Sequence, residues 1–142
     1  MTERAAGGLA TGAGVMLVVC LWLPWYRGSS GTALASFEYS AWTTYGTADI
    51  VLAIVGVAAA LTGLTGLLVA LPRLAWASLV IDGVAGFAGL IAEEPRFDFV
   101  HPAFGRSIGF SALLGVIAAA LLGALSRRER TPDRLTAEPP RD

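Results

Sequence analysis

Four apolar stretches, each about as long as a bilayer crossing, decide what this chain can become. They run over residues 5–25, 48–71, 74–92 and 108–125, and a helix needs about 20 apolar residues to span the hydrocarbon core. Lipid offers the backbone no hydrogen-bond partners, so a crossing segment satisfies its own N–H and C=O groups as a helix or belongs to a closed barrel. None of the stretches alternates over ten residues as a barrel strand does. The sequence therefore predicts an all-α fold, a four-helix transmembrane bundle over residues 1–126. The Arg-, Pro- and acid-rich tail, 127–142, reads as disordered. Composition agrees: hydrophobic residues make up 55% of the 142 and charged residues 15%, against about 25% charged in a soluble domain. A soluble fold of this size does not hide so much apolar surface. An ordinary soluble enzyme and a basic nucleic-acid binder are excluded.

Pro72-Arg73 is all that separates the second and third segments, so they must be antiparallel neighbours. The first connection, residues 26–47, is longer and rich in Gly, Ser, Thr and aromatics. Its stretch TALASFEYSAW, residues 32–42, partly alternates, a pattern that fits either a short hairpin or a segment lying at the interface. The last connection, 93–107, mixes acids with Phe97, Phe99 and Phe104, as expected at headgroup level. All ten basic residues are Arg. With both termini in the cytoplasm, Arg4, Arg73, Arg127, Arg128, Arg130, Arg134 and Arg141 lie inside; Arg27, Arg96 and Arg106 lie outside. Seven against three favours that orientation by the positive-inside rule. Trp22, Trp25 and Tyr26 are then expected at the outer interface and Trp76 at the inner one. Ala33-Leu34-Ala35 offers a small-x-small cleavage pattern, but it falls too far beyond the first apolar run for removal of that helix to be preferred.

Membrane helices associate by close packing, so small residues mark their contact faces. In the second segment Asp49, Gly56, Ala59, Gly63, Gly66 and Ala70 share a stripe. In the third, Ala75, Ser78, Asp82, Ala85, Gly86, Gly89 and Glu93 do the same. Gly109, Ala112, Ala119 and Gly123 serve the fourth, and Ala5, Gly8 and Gly12 the first. Gly56, Gly63, Gly66, Gly86 and Gly89 are the expected helix-packing sites.

Asp82 is the residue most suggestive of chemistry. It falls eight residues into the third segment, deep in the hydrocarbon by rise per residue. An acid there is functional or paired by default. It either ties helices together, through Ser78, Thr62 or Thr65, or exchanges a proton in a carrier. Asp49, by contrast, opens the second helix, where an acid complements the dipole and free N–H groups, the alternative being an outward-facing ligand role. Glu93, Glu94, Asp98 and His101 cluster in the last connection without metal-ligand spacing, so no metal is expected. Cys20 is the single cysteine, and no disulfide can form. No phosphate loop or nucleophile elbow is present, which argues against an enzyme and gives no cofactor.

LPWY at residues 23–26, Trp42 in the first connection and Asp49 in TADIVL form a pattern similar to small uncharacterised four-helix membrane proteins of actinobacteria. The Ala-, Gly- and Arg-rich composition fits a GC-rich genome of that kind. A long first outer loop and a short second one also resemble claudin-like topology, although the loop cysteine pair of claudins is missing. The resemblance implies a multi-pass protein of the inner (plasma) membrane. The expected role is accessory or scaffold-like, through binding other membrane proteins or through self-association within the lipid bilayer, with no nucleic acid. The alternative is a small proton-coupled carrier or channel subunit using Asp82.

Overall fold

The structure, a computed structural model, describes residues 3–29, 36–92 and 100–126. It is mostly helical. Helix α1 spans Glu3–Cys20, α2 is a single turn at Ala41–Thr44, α3 spans Ala48–Leu68, α4 Arg73–Ala92 and α5 Phe104–Leu125. Strands β1 (Pro24–Ser29), β2 (Ser36–Ser40) and β3 (Val100–Pro102) form one sheet in the order β2-β1-β3. Helices α3, α4 and α5 are long and apolar enough to cross a membrane. Helix α1 packs on α3 and α5, and α4 packs on the same two, which closes the four long helices into a ring.

The sheet is a correction to the all-helical expectation. The first apolar run does not stay helical to residue 25. After Cys20 the N–H groups of Leu21, Trp22 and Leu23 donate only three residues back, at 3.3, 3.2 and 3.1 Å. Pro24 then has no N–H with which to continue, and the chain leaves as β1. Apolar residues fill a buried strand as well as a helix, so hydropathy alone could not mark that exit. The hairpin expected within 32–42 forms instead between β1 and β2, pairing Tyr26 with Tyr39, Arg27 with Glu38 and Gly28 with Phe37. Strand β3 adds to the other side of β1, with Tyr26 opposite Pro102 and Gly28 opposite Val100. The Ala103 N–H donates to the Trp25 carbonyl at 2.7 Å, handing the chain into α5, which starts four residues earlier than its apolar run. At the other end α3 stops at Leu68, three residues short of expectation. Val69 is already extended, leading into the Leu71-Pro72 step, where helix is disfavoured.

Helices α1 and α3 meet through their backbones. A Cβ built on Gly7 would lie 2.8 Å from the Gly63 carbonyl, and one on Gly14 would lie 2.5 Å from the Gly56 carbonyl. The two contacts run in opposite senses along the helices, so the pair is antiparallel. Ala6, Ala10 and Ala59 fill the space between, fully buried. The contact face of α1 is thus Gly7/Ala10/Gly14; Ala5, Gly8 and Gly12 do not carry it.

Two tryptophans wedge the ends of α5. The Trp25 ring lies on Gly109, and the Trp76 ring lies on Gly123 and Gly66. Both side chains are fully buried, packed into the protein at the helix ends rather than turned outward. Of the expected outer belt only Trp22 stays exposed. A glycine opposite each indole leaves room that no side chain would.

Candidate functional site

Two places carry polar chemistry, and they lie far apart along the helices. The first is the sheet end of the bundle. Trp25 Nε1–H donates to the Cys20 carbonyl at 2.7 Å, a second donor there beside the Leu23 N–H at the α1 C-terminus. Tyr26 and Tyr45 share a hydrogen bond between hydroxyls at 2.5 Å, both rings buried. Tyr45 also stands edge-on to Trp25, centroids 5.9 Å apart. The Arg106 guanidinium lies over the Tyr26 ring at 5.4 Å and over the Phe110 ring at 5.5 Å. Such cation–π contacts contribute about 0.5–2 kcal/mol depending on desolvation. Arg27 and Glu38 pair across the exposed strands at 2.9 Å, which at a solvated surface is worth at most about 1 kcal/mol.

Asp49 sits beneath this layer, 4% exposed, and its Oδ1 accepts the Ile50 N–H at 2.7 Å. That bond satisfies one of the free donors in the first turn of α3, as an acid at a helix start does. The Tyr26–Tyr45 bond and the Arg106–Tyr26 stack were not legible in the sequence. Each joins residues far apart in the chain, and no local spacing announces them; only the Arg106–Phe110 contact, four residues apart on α5, has a helical spacing.

The second place is the outward face of α4. Asp82, the tenth residue of this helix, is exposed on the outside of the bundle. The expected tie to Ser78, Thr62 or Thr65 does not form among the described residues. Ser78 Oγ donates to the Ala75 carbonyl at 3.0 Å and Thr65 Oγ1 to the Leu61 carbonyl at 2.8 Å, each within its own helix. The small stripe expected on α4 does not share one face: of its members Gly86 turns inward, beside Gly83, which is not one of them. Gly83 and Gly86 face inward, where a Cβ on Gly83 would meet Ile117 at 2.7 Å. Ser78, Asp82 and Ala85 face outward, and around Gly89 the space is open. A carboxylate at the centre of a lipid-facing helix costs roughly 2.5–3.5 kcal/mol on insertion scales.

The remaining glycines divide similarly. Gly56, Gly63 and Gly66 of α3 meet α1 backbone or the Trp76 ring, and Gly86 lies in ordinary contact with Val55, Leu113 and Leu52. Gly8 and Gly12 of α1 look outward into a shallow groove of about 560 Å³, shared with Ser111 and Gly115 of α5. Glu93, Glu94 and Asp98 lie outside the described residues. Among the described residues no group of three or more His, Cys, Asp or Glu comes together. Compared with protein families, with curated proteins and with solved structures, the chain finds no match in any of the three.

Proposed function

We propose that the chain is an accessory or scaffold-like protein of the plasma membrane that acts by binding other membrane proteins. In this reading it crosses the bilayer four times with both termini in the cytoplasm. Helix α1 supports a fourth crossing: 18 residues rise about 27 Å, close to the hydrocarbon thickness. The Arg distribution along the sequence, seven against three with both termini inside, supports the orientation.

One observation carries the functional reading. Among the described residues the buried polar or charged side chains, tryptophans and Cys20 aside, are Thr44, Asp49 and the hydroxyl-paired Tyr26 and Tyr45, all at the sheet end. A carrier lines its path with polar or ionisable groups facing the bundle interior. Here the interior is packed with Ala, Gly, Leu and Trp, while the mid-helix carboxylate points outward. That distribution favours a protein whose business is conducted on its outer faces.

Two experiments test it. Reporter fusions after Arg73 and after Asp142 should read cytoplasmic, and fusions at Ser36 and Val100 exterior; an exterior reading at Asp142 would overturn the even number of crossings. Purification of the full chain from its native membrane in mild detergent should yield a complex of defined stoichiometry with another membrane protein. A pure homo-oligomer that drives proton flux in liposomes would establish the carrier instead.

A further inference from the structure

The most costly feature of this molecule in a bilayer is the placement of Asp82. Nine residues separate it from the start of α4 and ten from its end, so its carboxyl group lies about 14 Å from either water layer. Lys and Arg escape such depths by extending long side chains to the interface. Aspartate has a single methylene and does not reach. Within the described residues no hydrogen bond or ion pair engages it, since Ser78, one turn away, donates to its own helix.

The surroundings of Asp82 are shaped for close approach. Ser78, Ala85 and Gly89 lie on the same outward face at spacings of four and three residues, and a Cβ on Gly89 would touch nothing. Small side chains on either side of a polar one let a second helix come near enough to bond it. Charge complementarity then selects the occupant. Among its described residues a second copy of this chain brings no cation to that depth: Arg4, Arg73 and Arg106 stand within the first turn of their helices and Arg27 lies in β1. A two-fold pairing of α4 helices would set Asp82 against another Asp82.

We propose that the outward face of α4 docks a transmembrane helix of a partner protein that carries a Lys or Arg at mid-membrane depth, with Asp82 as its counter-ion. The inference rests on the reading of this chain as a partner-binding membrane protein and names the chemistry of the partner. The same pairing explains why an acid stands on a lipid-facing surface: it stays exposed until the complex forms. Ser78 and Ala85 set the distance of closest approach, and Asp82 sets the register.

The test uses the full chain, donor-labelled, in phosphatidylcholine vesicles with acceptor-labelled synthetic transmembrane peptides of Leu and Ala. One peptide carries a central Lys, one a central Leu, and one a Lys moved two turns toward an end. Energy transfer should show the central-Lys peptide associating about tenfold more strongly than the Leu peptide, the scale of an interhelical polar contact. Asp82→Asn and the displaced Lys should each erase most of that preference, and Ala85→Leu should weaken it by crowding the face. Equal association of the Lys and Leu peptides would overturn the inference. So would Asp82-dependent transfer between two labelled copies of the chain, which would make the occupant a second copy. Either result leaves a partner complex purified from the native membrane standing. Proton flux across the same vesicles, lost in Asp82→Asn, would instead overturn the partner-binding reading itself.

Discussion

Replacing Gly63 with Ala adds one methyl group at the point where α1 and α3 touch through their backbones. The new Cβ would lie 2.5 Å from the Thr11 nitrogen and 2.6 Å from both the Gly7 carbonyl oxygen and Thr11 Oγ1. Ordinary contact is about 3.4 Å, so the helices must part by nearly 1 Å. A gap of that size forfeits about a quarter to a half of each atom pair's attraction of ~0.1–0.2 kcal/mol. Over the order of 30 pairs between these helices the loss is about 2 kcal/mol, within the usual range for overpacking. Alanine's better helix propensity returns about 0.8–1 kcal/mol, leaving a net destabilisation of about 1 kcal/mol. Gly12→Ala is the internal control: nothing lies within 4 Å of its Cβ, so the propensity gain appears alone, about 0.5–1 kcal/mol. The two variants carry the same substitution on facing or outward sides of one helix pair and should shift in opposite directions. Unfolding of the full chain in dodecyl maltoside by titration with dodecyl sulfate, followed by circular dichroism, measures both. Equal stability of Gly63→Ala and the parent, or loss in both variants, would refute the backbone-contact geometry.

Other substitutions probe the sheet end. Tyr45→Phe leaves the Tyr26 hydroxyl buried without its partner and should cost about 1–3 kcal/mol, whereas the double change with Tyr26→Phe should cost less than the sum of the singles, read from the same titration. Trp25→Phe removes one of the two donors to the Cys20 carbonyl and part of the ring that rests on Gly109; a loss of at least about 1 kcal/mol is expected, and its absence would show that the indole bond is dispensable. Asp49→Asn retains an acceptor for the Ile50 N–H and gives up only the charge at the α3 start, so the change should stay near 0.3–1 kcal/mol; a shift well above that would reveal a further role for the carboxylate.

The apolar segments were legible because length and hydropathy alone mark a helix that can cross a bilayer. Which side of each helix faces its neighbours was not. In α1 small residues occur at nearly every position from Ala5 to Gly14, so Gly8/Gly12 and Gly7/Gly14 are equally good stripes on paper; only the partner helix chooses. In α4 the depth of Asp82 follows from counting residues, but Gly83 and Gly86 compete with Ser78 and Ala85 for the inward side, and the heavier contact with Ile117 goes to the former. The strand at Val100–Pro102 has three residues, too few for any period to register. Trp25 and Trp76 share the composition of interfacial tryptophans, and their burial depends on glycines of α5 placed far along the chain.

The position of β1 at the centre of the sheet has a consequence for the order in which the chain is made. Strand β1 emerges directly after the first helix, and β2 follows within a few residues, but the strand that covers its other side comes only after α3 and α4 are complete. Until then β1 presents an unpaired row of backbone groups, the kind of edge that invites pairing with other chains. The late half of the chain therefore finishes the early half: among the described residues it is the handover through Val100–Pro102 into α5 that covers that edge. A chain halted after Ala92 would hold three of its four long helices and still display an open strand, a mark by which unfinished copies differ chemically from finished ones.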